Sequence, residues 1–453
     1  MYFVFSHPMY YNRKIALHTL GCKLNFSETS AIGRILVEKG FQKVEFGDVA
    51  DYYIINTCSV TQNADKETRQ IVRSALRTNP DAKVIIVGCY AQLKPEEIAQ
   101  IPGVNLVLGA NEKFKINEYI EQLEEQQQPL VIAGDISEVG FYSEAYSYGE
   151  RTRSFLKVQD GCDYFCSFCT IPLARGKSRS TSIEQTLITA RKVALTGVKE
   201  IVLTGVNIGD YGKTADGNER TGENLFQLVQ QLEKIEEVER WRISSIEPNL
   251  LTNDIISFVA NSDKFMPHFH IPLQSGSDKI LKLMRRKYLR KLYKDRIEFI
   301  KKMMPHACIG VDVIVGFPGE THEQFLETYN FINDLDVSYL HVFTYSERAN
   351  TRALNISPIV PQVERKERNK MLRILSEKKK RKFYAEHLNT ERKALFESEN
   401  DSGIMYGFTD NYIKVAMPYN EQLVNTIQTV NLTKVSDFGY INGLIPALQN
   451  SVA

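Results

Sequence analysis

Residues 160–169 read Asp-Gly-Cys-Asp-Tyr-Phe-Cys-Ser-Phe-Cys, a C-x3-C-x2-C run that puts Cys162, Cys166 and Cys169 within eight residues. A loop this short gathers its thiolates around one metal centre at little cost in loop-closure entropy, so the fold has to be built around a metal-binding loop. Cysteine thiolates are the usual ligands of iron–sulfur clusters, which normally take four. Three of them leave one iron open. A zinc loop is the alternative, but zinc ligands come mostly as close pairs with a second pair downstream, and no second pair follows here.

A chain of 453 residues has room for two or three domains. Charged residues are 25% and hydrophobic residues 43% of it, as in ordinary globular proteins. A formal net charge of +1 leaves any attraction to nucleic acid to local patches. No apolar run reaches the about eighteen residues of a membrane span, so no membrane partner is expected. Residues 1–8 are apolar without a basic region and read as a loose N-terminal extension rather than a secretory signal. The expected location is cytoplasmic, where clustered cysteines point to metal rather than disulfides.

Up to about residue 140, strands at 14–20, 52–56 and 83–87 alternate with helices at 28–39 and 64–77. That alternation predicts a mainly parallel sheet flanked by helices. Cys22, Cys58 and Cys89 each come just past the C-terminal end of a predicted strand, and in an open α/β sheet those ends line the ligand crevice. Singly, each reads as a small buried hydrophobe. Together, with Gly21 and Gly88 before two of them, they predict a second three-thiolate cluster.

After a linker at 140–149, strands at 155–158, 201–205, 241–246, 268–273, 309–316 and 339–343 predict about six βα units, an open or closed α/β barrel with its chemistry at the C-terminal mouth. The polar motifs fall there: Thr204-Gly205-Val206-Asn207, Ser244-Ser245-Ile246-Glu247, Pro272-Leu273-Gln274-Ser275 and Tyr345-Ser346-Glu347-Arg348.

The cysteine loop, with Phe168 just before its last cysteine, resembles the radical S-adenosylmethionine superfamily. The resemblance implies a 4Fe–4S cluster on Cys162, Cys166 and Cys169. Its open iron takes S-adenosylmethionine, which reduction cleaves to a 5′-deoxyadenosyl radical. The implied cofactor-binding residues are Phe168, Thr204, Gly205, Asn207, Ser245, Glu247 and Gln274, although the usual Gly-Gly-Glu form is absent. The stretches around all three N-terminal cysteines, with 174–180 and Met284-Arg285-Arg286, resemble the methylthiotransferases over nearly the whole chain. That family implies a second 4Fe–4S cluster on Cys22, Cys58 and Cys89 presenting a methylated sulfur. One S-adenosylmethionine gives the methyl group and another the radical, with an electron donor such as flavodoxin or ferredoxin. Such an enzyme inserts –SCH3 at an unactivated C–H bond. At C2 of an adenine the proton is not acidic and hydride is a poor leaving group, so a radical is the route that avoids the barrier.

Lys23 after the first cysteine, and Val60-Thr61 after the second, resemble the branch that acts on N6-threonylcarbamoyladenosine beside the anticodon of tRNA. The isopentenyladenosine branch usually has Gln-Met-Asn and Arg-Glu at these places, and the ribosomal-protein branch Pro-Lys-Asn. Both remain alternatives, with a non-catalytic RNA-binding iron–sulfur protein as a distant third. Asn350 stands where the family motif Tyr-Ser-x-Arg-x-Gly-Thr has glycine.

Residues 364–382 carry ten basic against three acidic residues, and 285–296 seven against one. Either run alone reads as a solvated helix face. The two together, with Arg175, Lys177 and Arg179 beside the loop, predict phosphate contacts to the anticodon stem–loop of a tRNA. The substrate-binding candidates are Arg175, Arg179, His270, Arg285 and Arg348, the last for the threonylcarbamoyl carboxylate. A structural histidine competes with the role given to His270, and an ion pair with that given to Arg348. Cys308 reads as core. Beyond about residue 385, short β segments predict a small barrel resembling the TRAM domain. Its Tyr406, Phe408, Tyr412 and Tyr419 are core by default, with one or two as candidates for base stacking. The expected chain is α/β, with an N-terminal parallel α/β domain at 14–140, a central partial (βα)6 radical-SAM barrel at 148–378 and a small all-β TRAM-like barrel at 381–446.

Overall fold

The computed structural model describes residues 12–59, 62–123, 128–147, 149 and 152–446; the N-terminal extension, Val60-Thr61 and part of the linker lie outside them. The first sheet holds β1 (Lys14–Thr19), β2 (Gln42–Val44), β3 (Tyr52–Thr57), β4 (Lys83–Gly88), β5 (Val104–Leu108) and β6 (Leu130–Ile132). They run parallel in the order β2-β1-β3-β4-β5-β6. The central strand β3 is buried along its whole length, as in a parallel sheet covered on both faces. β2, β5 and β6 add to the three expected strands. The helix after β1 spans Lys23–Glu38 and begins five residues ahead of the apolar pattern. Its first turns are polar, yet Asn25, Ser27, Glu28 and Thr29 are buried, because that face packs on the second domain.

That domain contributes β7 (Arg153–Lys157), a short antiparallel ladder of β8 (Gln159–Asp160) with β9 (Arg179–Ser180), and then β10 (Glu200–Thr204), β11 (Arg240–Ile243), β12 (His268–His270), β13 (Cys308–Val315) and β14 (Tyr339–Thr344). Two parallel three-stranded sheets, β11-β10-β7 and β12-β13-β14, meet through the bridges Trp241↔Phe265 and Ser245↔His270. Together they form a six-stranded partial barrel with β7 and β14 as its free edges. The helix Lys23–Glu38 packs against β7, where Phe26 meets Phe155 edge-on at 5.7 Å between ring centroids. The basic helix, Gln362–Ala385, packs along β14. Part of its charge is structural: Arg365 and Arg368 are buried and pair with Glu347 and Glu320.

The strands β15 (Glu391–Phe396), β16 (Ile404–Thr409), β17 (Lys414–Pro418), β18 (Ile427–Val435) and β19 (Ile441–Leu444) close a barrel in the order β15-β16-β17-β19-β18. It seats on the N-terminal ends of the larger barrel's strands. Arg240 donates to the Lys393 carbonyl at 2.8 Å, Arg242 to the Asp410 carbonyl at 3.1 Å, and Arg153 pairs with Glu397 at 2.8 Å. Tyr412 stacks on His268 with centroids 4.1 Å apart, and Phe408 on Tyr412 at 4.9 Å. Phe408 and Tyr412 therefore floor the larger barrel instead of offering faces to bases. Tyr419 packs partly buried on the small barrel's core, while Lys414 lies over the Tyr406 ring. Cys308 is buried between the two barrels, as its apolar strand implies.

Candidate active site

The N-terminal cysteines follow β1, β3 and β4, which are neighbours in the sheet. The register pairs Thr19 with Asn56 and Thr57 with Gly88, so the three turns leave the sheet side by side. Gly21 and Gly88 stand before Cys22 and Cys89 with φ of 101° and 98°, a region that glycine enters freely and other residues do not. A Cβ on Gly21 would lie 2.7 Å from the Cys58 Cβ, and one on Gly88 2.3 Å from Asn56 Oδ1. The backbone approaches too closely there for any side chain. Asn25 ties the turns together, with Nδ2 donating to the Leu20 carbonyl at 2.9 Å and the Thr57 carbonyl at 3.1 Å. Burial pushes the Cys22 thiol up, Arg175 draws it back down, and Cys89 is close enough to raise it again.

The second cysteine set is held at both ends. β8 and β9 pair at the base of the loop, and Cys162 N donates to the Gly176 carbonyl at 3.0 Å. Further on, Ser167 donates to the Met284 and Leu283 carbonyls and accepts from Ala353 N at 2.8 Å. Each sulfur accepts one hydrogen bond: Cys162 from Tyr164 N at 3.3 Å, Cys169 from Ile171 N at 3.4 Å, and Cys166 from Arg286 Nη1 at 3.2 Å. Donors to sulfur favour the thiolate and tune a bound cluster. Burial opposes them, pushing Cys162 and Cys166 up and Cys169 up to about 12, so metal ligation here displaces protons. Phe168 is half-buried against Phe317, centroids 6.3 Å apart, and walls the loop's apolar side.

Of the residues expected at S-adenosylmethionine, Thr204 ends β10 and is buried. A Cβ on Gly205 would lie 2.8 Å from Ile208 Cγ2 and 2.9 Å from the Gln159 carbonyl. Gln159 Oε1 accepts from Asn207 N at 2.8 Å, while its Nε2 donates to the Asp160 and Gly161 carbonyls. That leaves the Asn207 side-chain amide, 2% exposed, with neither its oxygen nor its nitrogen partnered among the described residues. Buried amides are rarely left so. Three thiols beside an orphaned amide fit a cluster together with a polar cofactor. Ser245 and Gln274 sit half-buried at the barrel mouth, Gln274 with φ of 66°. Glu247 is engaged by Arg286, which also donates to Tyr288 Oη at 3.1 Å. Arg285 adopts φ of 58°, and this turn sends Arg286 back toward Cys166 while leaving Arg285 itself exposed.

A buried charge network joins the two cysteine sets. Glu28 accepts from Lys113 at 2.7 Å, Lys157 at 3.1 Å and Arg175 at 2.9 Å. Asp160, two residues before Cys162, pairs with Lys157 at 2.7 Å, Arg175 at 2.9 Å and Arg179 at 3.1 Å. Arg175 also donates to Asn25 Oδ1 at 2.6 Å. Burial works against both carboxylates, but Arg175, Lys113, Lys157 and Arg179 between them hold both far below the usual carboxylate range. Four cations thus surround two carboxylates, and the surplus positive charge lies beside Cys22 and Cys89. This corrects the phosphate-binding expectation for Arg175 and Arg179. Both are under 5% exposed and their donors are spent inside the protein.

Arg348 is corrected in the same way. Its fork closes on Asp65 at 2.9 and 3.2 Å, an ion pair from the barrel rim to the first turn of the N-terminal domain's second helix. His270 pairs with Asp312 at 2.8 Å and meets the His341 ring edge-on, centroids 5.3 Å apart. The structural competitor therefore accounts for its geometry. Asn350 takes φ of 63°, the left-handed conformation that asparagine tolerates and that a motif glycine would need.

Facing the same interior is Lys23. Burial lowers its ammonium, Tyr412 and Glu200 raise it, and Arg153 and Arg242 lower it further. It makes no hydrogen bond or ion pair among the described residues.

Glu28, Asn25, Gln159, Asp160 and Arg286 are the site residues that pattern reading missed. Two carried a signal. Glu28 is a lone acid between Leu24 and Ala31-Ile32 on a helix, and Arg286 adjoins Arg285 in the quoted motif. For Asn25 the key partner, Arg175, is 150 residues away, and Gln159 and Asp160 carry no periodic pattern.

The description "Uncharacterized protein family UPF0004" matches residues 14–109, and "Radical SAM superfamily" matches residues 156–332. Among curated proteins, "Threonylcarbamoyladenosine tRNA methylthiotransferase MtaB" of Bacillus subtilis (strain 168) is 41% identical over 427 residues, 93% of this chain and 94% of that one. The protein of the same name from Aquifex aeolicus (strain VF5) is 40% identical over 405 residues, 89% and 96% of the two chains. A "tRNA-2-methylthio-N(6)-dimethylallyladenosine synthase" of Clostridium tetani (strain Massachusetts / E88) is 30% identical over 430 residues, 93% and 94% of the two. The solved radical S-adenosylmethionine methyltransferase TsrM from Kitasatospora setae shares the fold, with a TM-score of 0.54 at 12% identity over 73% of this chain and 75% of that one.

Proposed function

The chain belongs to the radical S-adenosylmethionine methylthiotransferase family, on the branch of the threonylcarbamoyladenosine tRNA enzymes, and we propose on that premise that it replaces the C2 hydrogen of N6-threonylcarbamoyladenosine, next to the anticodon of tRNA, by a methylthio group. The observation that supports this reading is the Asn25–Arg175–Asp160 bridge, which ties the segment of Cys22 to the segment of Cys162. Sulfur insertion calls for two clusters, one to make the radical and one to present the sulfur.

Cys162, Cys166 and Cys169 hold one 4Fe–4S cluster and Cys22, Cys58 and Cys89 the other. When bound, the clusters and S-adenosylmethionine would supply the radical that takes the C2 hydrogen, leaving as 5′-deoxyadenosine, and the methylthio sulfur that bonds C2 in its place. The chain's own residues position these groups and keep water away. Gly21 and Gly88 let the N-terminal turns close on one point. Asn207, Thr204 and Gly205 receive the polar end of S-adenosylmethionine, and Phe168 shields the loop. Arg286 sets the electrostatics at Cys166. Ser245, Glu247 and Gln274 line the mouth, and exposed Arg285 meets RNA phosphate. The three domains run over 14–140, 148–378 and 381–446, the last a TRAM-like RNA-binding barrel for the anticodon stem–loop. A flavodoxin or ferredoxin delivers the electron, and the enzyme works in the cytoplasm. No helix among the described residues is long and apolar enough to cross a membrane.

Anaerobic reconstitution tests the reading. It requires about eight irons per chain, two clusters of four, and release of 5′-deoxyadenosine from S-adenosylmethionine and a reductant. Four irons or fewer, or no 5′-deoxyadenosine, overturn it.

A further inference from the structure

The arginines that line the barrel are committed to carboxylates. Arg242 is held by Glu200 at 2.9 Å, Arg153 by Glu397 at 2.8 Å and Arg348 by Asp65 at 2.9 Å, while His270 is fixed by Asp312 at 2.8 Å. Lys23 is the exception. It enters from the first turn of the helix Lys23–Glu38, which packs against the free-edge strand β7. Its ammonium lies within electrostatic reach of Arg153 and Arg242 on β7 and β11, of Glu200 on β10, which Arg242 engages, of His268 on β12, of His341 on β14 and of Tyr412 on the floor. It is half-buried and makes no ion pair among the described residues. An enclosed ammonium with no ion pair of its own, beside two arginines already committed to carboxylates, is stabilised when an anion comes to it.

Covalent connection fixes where that anion is presented. Lys23 directly follows Cys22, so the segment that carries the first N-terminal cysteine also carries an ammonium toward the barrel interior. On an adenine, C2 and the carbon bearing N6 are the two neighbours of N1, so they share one edge of the ring. A base that turns C2 to the N-terminal cysteines therefore projects its N6 substituent along that same edge. The threonylcarbamoyl substituent ends in a carboxylate, whereas unmodified adenine and an isopentenyl substituent carry no charge there. We propose that Lys23 is the specificity residue of this site, the cation that binds the carboxylate of the N6 substituent and rejects adenosines without one. The proposal rests on the functional reading above and names the residue that selects its substrate. It gives to Lys23 the role that Arg348, closed on Asp65, does not fill.

The test measures binding of the reconstituted full-length protein to two synthetic anticodon stem–loops by fluorescence anisotropy, with iron counted in every variant. One RNA carries N6-threonylcarbamoyladenosine and the other unmodified adenosine at the same place. Wild type should prefer the modified RNA roughly ten- to hundredfold, the range of one charge-assisted hydrogen bond. Lys23→Met and Lys23→Gln should bring the ratio close to one by weakening only the modified RNA, and Lys23→Arg should keep most of the preference. An unchanged ratio in Lys23→Met, or equal weakening for both RNAs, overturns the proposal. So does loss of iron in both neutral variants, which would assign Lys23 to holding the cluster. The functional reading fails separately, when wild type shows the binding preference yet forms no methylthio product.

Discussion

Asn25 Oδ1 accepts a hydrogen bond from Arg175 Nη2 at 2.6 Å, joining the third residue after Cys22 to the sixth residue after Cys169. The same guanidinium holds Asp160 just ahead of Cys162 and Glu28 one helical turn beyond Asn25. Arg175 thus ties both cysteine pockets together through one buried guanidinium, alongside the Lys157–Glu28 pair.

Arg175→Met should therefore damage both pockets together. It leaves two buried carboxylates short of a partner, a change that costs about 3–5 kcal/mol when a buried pair is broken. Denaturant unfolding of the metal-free chain should show that loss, and reconstituted iron should fall for both clusters. Full stability, or iron lost from one set alone, contradicts the bridge.

Gly88→Ala tests the close approach at Cys89. The new methyl would meet Asn56 Oδ1 at 2.3 Å and the Thr57 carbonyl at 2.5 Å, on a backbone with φ of 98°. Strain of this kind costs about 1–3 kcal/mol. The expected outcome is a lower unfolding midpoint and loss of the N-terminal cluster, with 5′-deoxyadenosine formation retained.

Acid should unfold the chain through three buried carboxylates. Arg242 and the neighbouring Arg153 and Arg240 overcome burial to hold Glu200 down at about 2, and Glu28 and Asp160 are depressed as well. A depressed carboxylate stabilises the fold fully above its unfolded value, about 4.5 for Glu. The contribution falls away as pH drops toward 2, and for Glu200 it is about 3 kcal/mol. A pH series of denaturant melts should show the loss beginning below about pH 5, and Glu200→Gln should flatten the slope.

The legible part of this protein was whatever repeats locally. Apolar alternation gave β1, β3, β4 and the six barrel strands, and strand ends gave the convergence of Cys22, Cys58 and Cys89. The polar first turns of the helix Lys23–Glu38 hid its true start, since side chains such as Glu28 read as solvated until their partners Lys113, Lys157 and Arg175 are known. The same blindness misplaced Arg175, Arg179 and Arg348. A charge in sequence does not declare whether its counter-ion is a phosphate or a buried carboxylate, whether that carboxylate lies 19 residues away, as for Arg179, or 283, as for Arg348. Tyr412 and Phe408 were ambiguous for the same reason, as the floor they form belongs to another domain.

The two cysteine sets should divide the chemistry cleanly. Cys162→Ala, Cys166→Ala and Cys169→Ala combined should abolish 5′-deoxyadenosine formation and keep about four irons. The combined Cys22→Ala, Cys58→Ala and Cys89→Ala chain should keep about four irons and still form 5′-deoxyadenosine, but yield no methylthio product. Iron analysis with product chromatography checks both, and a three-cysteine loss that leaves sulfur insertion intact would sink the assignment.

The most direct measurement is nucleoside mass spectrometry. An anticodon stem–loop carrying N6-threonylcarbamoyladenosine is incubated anaerobically with the reconstituted chain, S-adenosylmethionine and a reductant, then digested and weighed. The account predicts that the modified nucleoside gains a methylthio group in place of its C2 hydrogen. An unchanged nucleoside alongside accumulating 5′-deoxyadenosine, or conversion of an isopentenyladenosine stem–loop in its stead, would contradict it.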